Sequence, residues 1–239
     1  MTLTAHNHSD NENNSAKDKR MPSGSDKLDT MLGGGIERGI ITQVYGASST
    51  GKTNICTQLA VHCIRGGERV VLIDTEGFSA ERFSQMAQND AKEIAKDLII
   101  YEPKDFQQQY SAVVDVEKLA STGIGLVIVD SATLFYRFGL SPDDEGNASV
   151  RRKLVEQIAG LHRLARKFDM AVVITNQVYT DTKTGGVCPL GGNLIEHLSK
   201  TIIKMEKTGN NRRRAILMKH RSREEGQSVE LIITGEGIV

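Results

Sequence analysis

The 239-residue sequence is poor in the features that would assign it to several broad classes. It has three cysteines, Cys56, Cys63 and Cys188. Cys56 and Cys63 are seven residues apart on one predicted helix face, about 10 Å along the axis, too far to bridge. The third is isolated, which excludes a disulfide framework and any metal-ligand spacing. Buried, reduced thiols and a cytoplasmic location are the expectation. No apolar run approaches the ~20 residues of a membrane span, and the N-terminus lacks an apolar signal region. Membrane association is therefore not expected. Net charge is also absent, with 30 Lys+Arg against 30 Asp+Glu. Any nucleic-acid contact must come from a local patch.

What is present begins at Gly46-Ala47-Ser48-Ser49-Thr50-Gly51-Lys52-Thr53, a match to G-x-x-x-x-G-K-[ST]. An apolar, β-rich run over 40–45 precedes it. Ile55, Leu59 and Cys63 follow at helical spacing. Strand, Gly-rich turn and helix are thus in the order a phosphate-binding P-loop requires. Gly46 and Gly51 permit a tight curl that turns amides inward, and the helix start adds its positive dipole end. Lys52 is placed to reach β- and γ-phosphates, and the Thr53 hydroxyl to ligate Mg2+. ATP with Mg2+ is the expected cofactor.

Buried strands are predicted at 70–74, 98–101, 126–130 and 170–175, and helices at 25–32, 54–65, 78–96, 106–119 and 150–168. This alternation predicts an α/β fold with a mostly parallel sheet flanked by helices. After residue 200, short strands at 201–206, 215–219 and 229–234 predict an antiparallel C-terminal edge. Residues 1–20 are polar and predict a disordered tail, with one globular domain over 21–239. Translation starting at Met21 is a further expectation, which the intact mass of the native protein would decide.

The strand at 126–130 ends in Asp130, a Walker B pattern that would hold the metal through a water beside Thr53. A helix-capping role is the alternative. Ser131 follows, so the glutamate that often comes next in P-loop ATPases is missing. The water-orienting residue is then expected to be Glu76, just beyond the strand ending in Asp74, with a helix cap as its alternative. Gln177, at the tip of the fifth strand, can present an amide to the γ-phosphate and report it to the loop that follows. That loop, 178–192, is polar and Gly-rich. A second loop, 138–149, carries Asp143-Asp144-Glu145. Basic residues gather at Arg212-Arg213-Arg214, Lys219-His220-Arg221 and Arg223. They suit phosphate contact or, equally, a solvated edge strand.

Assembled, these segments resemble a RecA-type recombinase core over about residues 22–239, most of all the archaeal recombinase paralogues. The resemblance rests on Ser23 to Asp29, Leu32 to Ile36, the P-loop, Asp74-Thr75-Glu76-Gly77, Leu126 to Ser131, Ile174 to Val178, Gly191 to His197 and Lys219 to Ser222. It implies Lys52, Glu76 and Gln177 as catalytic residues, and Arg82 as an adenine-stacking arginine. His197 corresponds to a relay across a subunit interface. Lys219 and Arg221 resemble a pair that enters a neighbour's ATP site. Arg137, Arg151 and Lys183 would be the DNA-contacting cations.

Two departures qualify the resemblance. Residues 1–21 contain no phenylalanine, so they offer no Phe-x-x-Ala hook for a neighbouring subunit. The first DNA loop carries acids where recombinases carry arginines. The resemblance accordingly implies an archaeal mediator in DNA repair and the response to DNA damage. Such a protein binds ATP and DNA, single-stranded by preference, hydrolyses ATP weakly and does not catalyse strand exchange alone. Its implied partners are the main recombinase RadA, the Holliday-junction resolvase and a second copy in a homodimer. A KaiC-like signalling ATPase acting through protein partners is the alternative that Lys219-x-Arg221 also fits.

Overall fold

The computed structural model describes residues 19–141, 147–180 and 185–239. Most of the expected tail, the acidic triplet of the first loop and Lys183 lie outside the described residues. Strand β1 (Arg20–Met21) pairs antiparallel with β2 (Ile36–Glu37), so Arg20, expected in the tail, belongs to a sheet. Between them, α1 (Asp26–Leu32) buries Leu28, Met31 and Leu32 and ends on Gly33, left-handed at φ 80°.

The central sheet has eight strands in the order β12-β11-β10-β3-β7-β6-β4-β5. Its parallel members are β3 (Ile41–Tyr45), β4 (Arg69–Asp74), β5 (Leu98–Tyr101), β6 (Ile124–Asp130) and β7 (Ala171–Asn176), with β10 (Ser199–Lys207) parallel to β3. β3, β6 and β7 are buried along their whole length, as continuous apolar runs between helix layers must be. Strand alternation divides the core. Val70, Leu72, Leu126 and Ile128 face α2 (Lys52–Arg65). Val71, Ile73, Val127 and Val129 face α5 (Phe106–Leu119) and α7 (Asn147–Phe168). In sequence β4 follows β3, yet β7 and β6 lie between them. The strand ends therefore open a crevice above this crossover.

Two expectations are corrected. The single helix over 78–96 is instead α3 (Ala80–Ala87), a 3-10 turn, the short α4 (Ala91–Ile94) and a second 3-10 turn. The chain breaks at Gln88, which takes φ 56°. Arg65 holds the break, donating to the Ala87 carbonyl at 2.8 Å and to both oxygens of Asp90. The three C-terminal strands form the expected antiparallel edge: β10 pairs antiparallel with β11 (Arg212–Lys219) and β11 with β12 (Ser228–Ile232), while β10 also runs parallel to β3. The 178–192 loop contains a small hairpin, β8 (Val178–Thr180) with β9 (Val187–Pro189). Two further helices were not foreseen, α6 (Leu134–Phe138) and α8 (Gly192–Leu198).

Cys56 and Cys63 are buried on α2, and burial pushes the Cys63 thiol up to about 12. Among the described residues no helix is long and apolar enough to cross a membrane.

Candidate nucleotide site

The loop from Tyr45 to Lys52 joins β3 to α2 and follows from its glycines. A Cβ on Gly46 would lie 2.3 Å from the Met205 carbonyl oxygen of neighbouring β10, so only glycine fits between the strands. Ser49 at φ 63° and Gly51 at φ 95° are both left-handed, and such turns direct successive amides to one side. Thr50 Oγ1 donates to the Ala47 carbonyl at 2.8 Å and pins the curve.

Lys52 is buried. Its Nζ donates to the carbonyls of Gly46 at 2.9 Å and Ala47 at 3.0 Å, so the amine lies within the loop's own curl. Desolvation lowers its pKa, opposed by the negative charges of Glu76 and Asp130. Asp130 ends β6 opposite Asp74 at the end of β4. It is buried and accepts a short hydrogen bond from the Thr175 hydroxyl. Burial raises its pKa, while the Thr175 and Thr53 hydroxyls pull it down.

Asp74 has a different task from Glu76. Its carboxylate accepts from the Glu76 amide at 3.3 Å and from the Gly77 amide at 3.1 and 3.2 Å. It thereby shapes the turn that delivers Glu76 to the crevice. Glu76 Oε1 accepts from Gln177 Nε2 at 3.0 Å, and Arg137 Nη1 lies 3.5 Å from Gln177 Oε1. The ends of β4 and β7 and helix α6 thus meet over the P-loop. Together with Gly46, Lys52, Thr53, Asn54, Arg213 and Ile233 these side chains enclose a polar crevice of about 510 Å³. A groove of about 600 Å³ between α5 and α7 is larger, but none of the predicted site residues lines it.

Arg82 stands at the side of this crevice with its guanidinium plane fixed. Nε donates to Asn54 Oδ1 at 2.7 Å, Nη2 to the Thr234 carbonyl at 2.8 Å, and Nη1 to the Gly235 carbonyl and Gln85 Oε1, both at 3.0 Å.

Other predicted residues lie elsewhere. The β10–β11 register puts Lys219 opposite Ile202, at the end of the sheet away from the P-loop. Lys219 Nζ donates to the Glu196 carbonyl at 2.7 Å, and Arg221 pairs with Glu37 at 3.1 Å. Neither approaches the P-loop of its own chain. His197 is exposed on α8. Arg137 turns toward the crevice. Arg151 lines an apolar hollow with Tyr136, Leu154, Tyr179 and Leu190.

Against known proteins, the family model described as Rad51 matches residues 17–239. The chain belongs to the Rad51 family, among its RadB proteins. The DNA repair and recombination protein RadB of Methanococcoides burtonii is 53% identical over 211 residues, covering 88% of this chain and 93% of that protein. The protein of the same name from Archaeoglobus fulgidus is 44% identical over 91% of this chain and 97% of its own length. A crystal structure of the RadB recombinase superposes with a TM-score of 0.78 at 32% identity, covering 91% of this chain and 98% of that one. The RecA-like fold expected from sequence is the fold of this family.

Members of the Rad51 family bind ATP with Mg2+, and the chemistry here suits that pair. An amide-lined curl with a buried lysine fits phosphates. Among the described residues no three His, Cys, Asp or Glu side chains cluster as a self-sufficient metal site. A hydroxyl from Thr53 and a carboxylate from Asp130 instead suit a hard cation that draws its remaining ligands from phosphate and water.

Arg213 was grouped with the basic residues suited to phosphate contact but not singled out for this site, and Ile233 was not foreseen. No local motif marks them, because they reach the P-loop only through the β10–β3 pairing. One signal was available. In β11 the residues Arg213, Ala215 and Leu217 alternate on a single buried face, which sets Arg213 apart from its two neighbours.

Proposed function

We propose that this chain is an ATP-binding accessory protein of DNA repair and recombination, with weak ATP hydrolysis little affected by DNA and no strand exchange of its own. The observation that carries this reading is the convergence of Lys52, Thr53, Glu76 and Gln177 on one crevice, with Asp130 hydrogen-bonded to Thr53 beside it, in a Rad51-family chain. The name shared by its RadB relatives supplies the biological setting.

Bound ATP–Mg2+ would supply the phosphoanhydride and the charge that the cradle lacks. Lys52 exchanges two neutral carbonyl partners for an anion, a stronger hydrogen bond. Thr53 and Asp130 would hold the metal, Asp130 through a water, and the metal would offset phosphate charge. Glu76 orients a water and accepts its proton. Gln177 must leave Glu76 to meet a phosphate oxygen, which couples nucleotide state to the segment after β7. Slow turnover is consistent with a glutamate already engaged by that amide. Arg82 would pack on the base. Arg137, Arg151 and Lys183 are the cations offered to single-stranded DNA. RadA, the Holliday-junction resolvase and a second copy of the chain are the proposed protein partners. Lys219, Arg221 and His197 would act only across a subunit contact.

The test is ATP turnover by the pure protein with and without single-stranded DNA, alongside calorimetry with ATP–Mg2+. Binding heat with slow turnover that DNA changes less than about twofold is expected. Vigorous DNA-stimulated hydrolysis, or no binding heat, would overturn the proposal.

A further inference from the structure

Four charged side chains are buried among the described residues: Lys52, Asp74, Asp130 and Arg213. The first three belong to the P-loop or to the strand ends beside it. Arg213 comes from β11, two strands beyond β3 in the sheet, and is 6% exposed.

Its hydrogen bonding is incomplete. Nη1 donates to the carbonyls of Gly209, Asn210 and Arg212 at 3.1, 3.1 and 2.8 Å. These are neutral acceptors, and among the described residues no carboxylate pairs with the guanidinium. Nε is buried and has no partner among the described residues. The side chain lies against the P-loop, with Cγ 3.8 Å and Nε 3.9 Å from the point a Cβ on Gly51 would occupy. Burying a full charge with no counter-ion is costly, and buried charges are ordinarily paired. The three carbonyls hold the guanidinium from behind, so the arrangement resembles a cation positioned ahead of its anion. Arginine suits this because its fork can donate to a phosphate while other donors stay anchored.

We propose that Arg213 is a phosphate-binding residue supplied by the same chain, contacting the diphosphate segment common to ADP and ATP on the side of the P-loop away from Glu76. The proposal rests on the nucleotide reading above and adds to it a residue outside the P-loop motif. Lys52 and Arg213 would then be the two buried cations that a bound diphosphate neutralises. Together with Ile233, which also borders Gly51, Arg213 would make the C-terminal antiparallel strands part of the nucleotide site.

Equilibrium binding of ATP, ADP and adenosine, each with Mg2+, tests this on the full chain and on Arg213→Gln and Arg213→Lys. Loss of a charged hydrogen bond predicts about tenfold weaker binding of both ATP and ADP by Arg213→Gln. Adenosine affinity should be unchanged, and Arg213→Lys should recover part of the loss. A residue that merely braces the 209–212 turn would weaken adenosine in the same proportion, and that outcome would overturn the proposal, as would an unchanged ADP affinity. Should Arg213→Gln not fold, the Arg213 Nε–Hε resonance of the unaltered protein is followed instead. A shift with ADP but not with adenosine supports the contact, and no shift with ADP refutes it. An unaltered protein that binds no ADP would instead remove the nucleotide reading itself.

Discussion

Gln177 donates its side-chain amide to Glu76 Oε1 at 3.0 Å, joining residues 101 positions apart in sequence. The bond ties the tip of β7 to the turn after β4, directly over the P-loop. It also engages one oxygen of the carboxylate proposed to orient water, so under that proposal the Gln177 amide must move to meet a phosphate. Glu76→Gln should leave ATP affinity within about threefold while lowering turnover by roughly 10²-fold or more, the usual contribution of a positioned base. A rapid-quench assay of phosphate release checks this. Unchanged turnover would remove Glu76 from the chemistry.

Lys52 bonds only carbonyls of its own loop, so the fold should not need it. Lys52→Ala should weaken ATP by roughly 10- to 100-fold, since a hydrogen bond to a charged group contributes about 1.5–3 kcal/mol. Its melting temperature without nucleotide should stay close to that of the unaltered protein. Calorimetry beside a thermal melt separates the two effects.

Asp130 gives a prediction with a definite sign in pH. Burial raises its folded-state pKa above that of the unfolded chain. The folded protein therefore holds this proton more tightly, and stability falls as pH rises through the raised value. The penalty is present at neutral pH and is relieved as pH drops toward the ordinary carboxylate range. Asp130→Asn should accordingly raise the melting temperature of the nucleotide-free protein at pH 7, and the gain should shrink on acidification. Asp74, raised for the same reason, contributes in the same direction. Mg2+-dependent enhancement of ATP binding should be lost in the same variant. A melting temperature that falls at pH 7 would contradict the assignment.

Arg82 links α2, α3 and the turn after β12 through four hydrogen bonds. Arg82→Ala should destabilise the protein by about 1–3 kcal/mol, since several partners lose their donor together. At about 2–4 °C per kcal/mol for a chain of this size, the shift is easily measured. Adenine nucleotides should also bind less tightly, whereas inorganic pyrophosphate should not. Equal losses for both ligands would make Arg82 a structural brace only.

Local chemistry marked the P-loop, the β4 and β6 carboxylates and the parallel core. Each depends on neighbours in sequence: glycines that admit left-handed turns, a run of apolar residues ending in an acid, a helix beginning at Lys52. The helix over 78–96 failed because its break is imposed from outside, by Arg65 taking the Ala87 carbonyl. Strand order and register, which no local pattern encodes, decided the rest. They bring Gln177 to Glu76, carry Lys219 and Arg221 to the far end of the sheet, and set Arg213 and Ile233 beside Gly51. Sequence alone thus determined which residues could bind a phosphate. The tertiary structure decided which of them share a crevice, because pairing between distant strands sets which side chains meet.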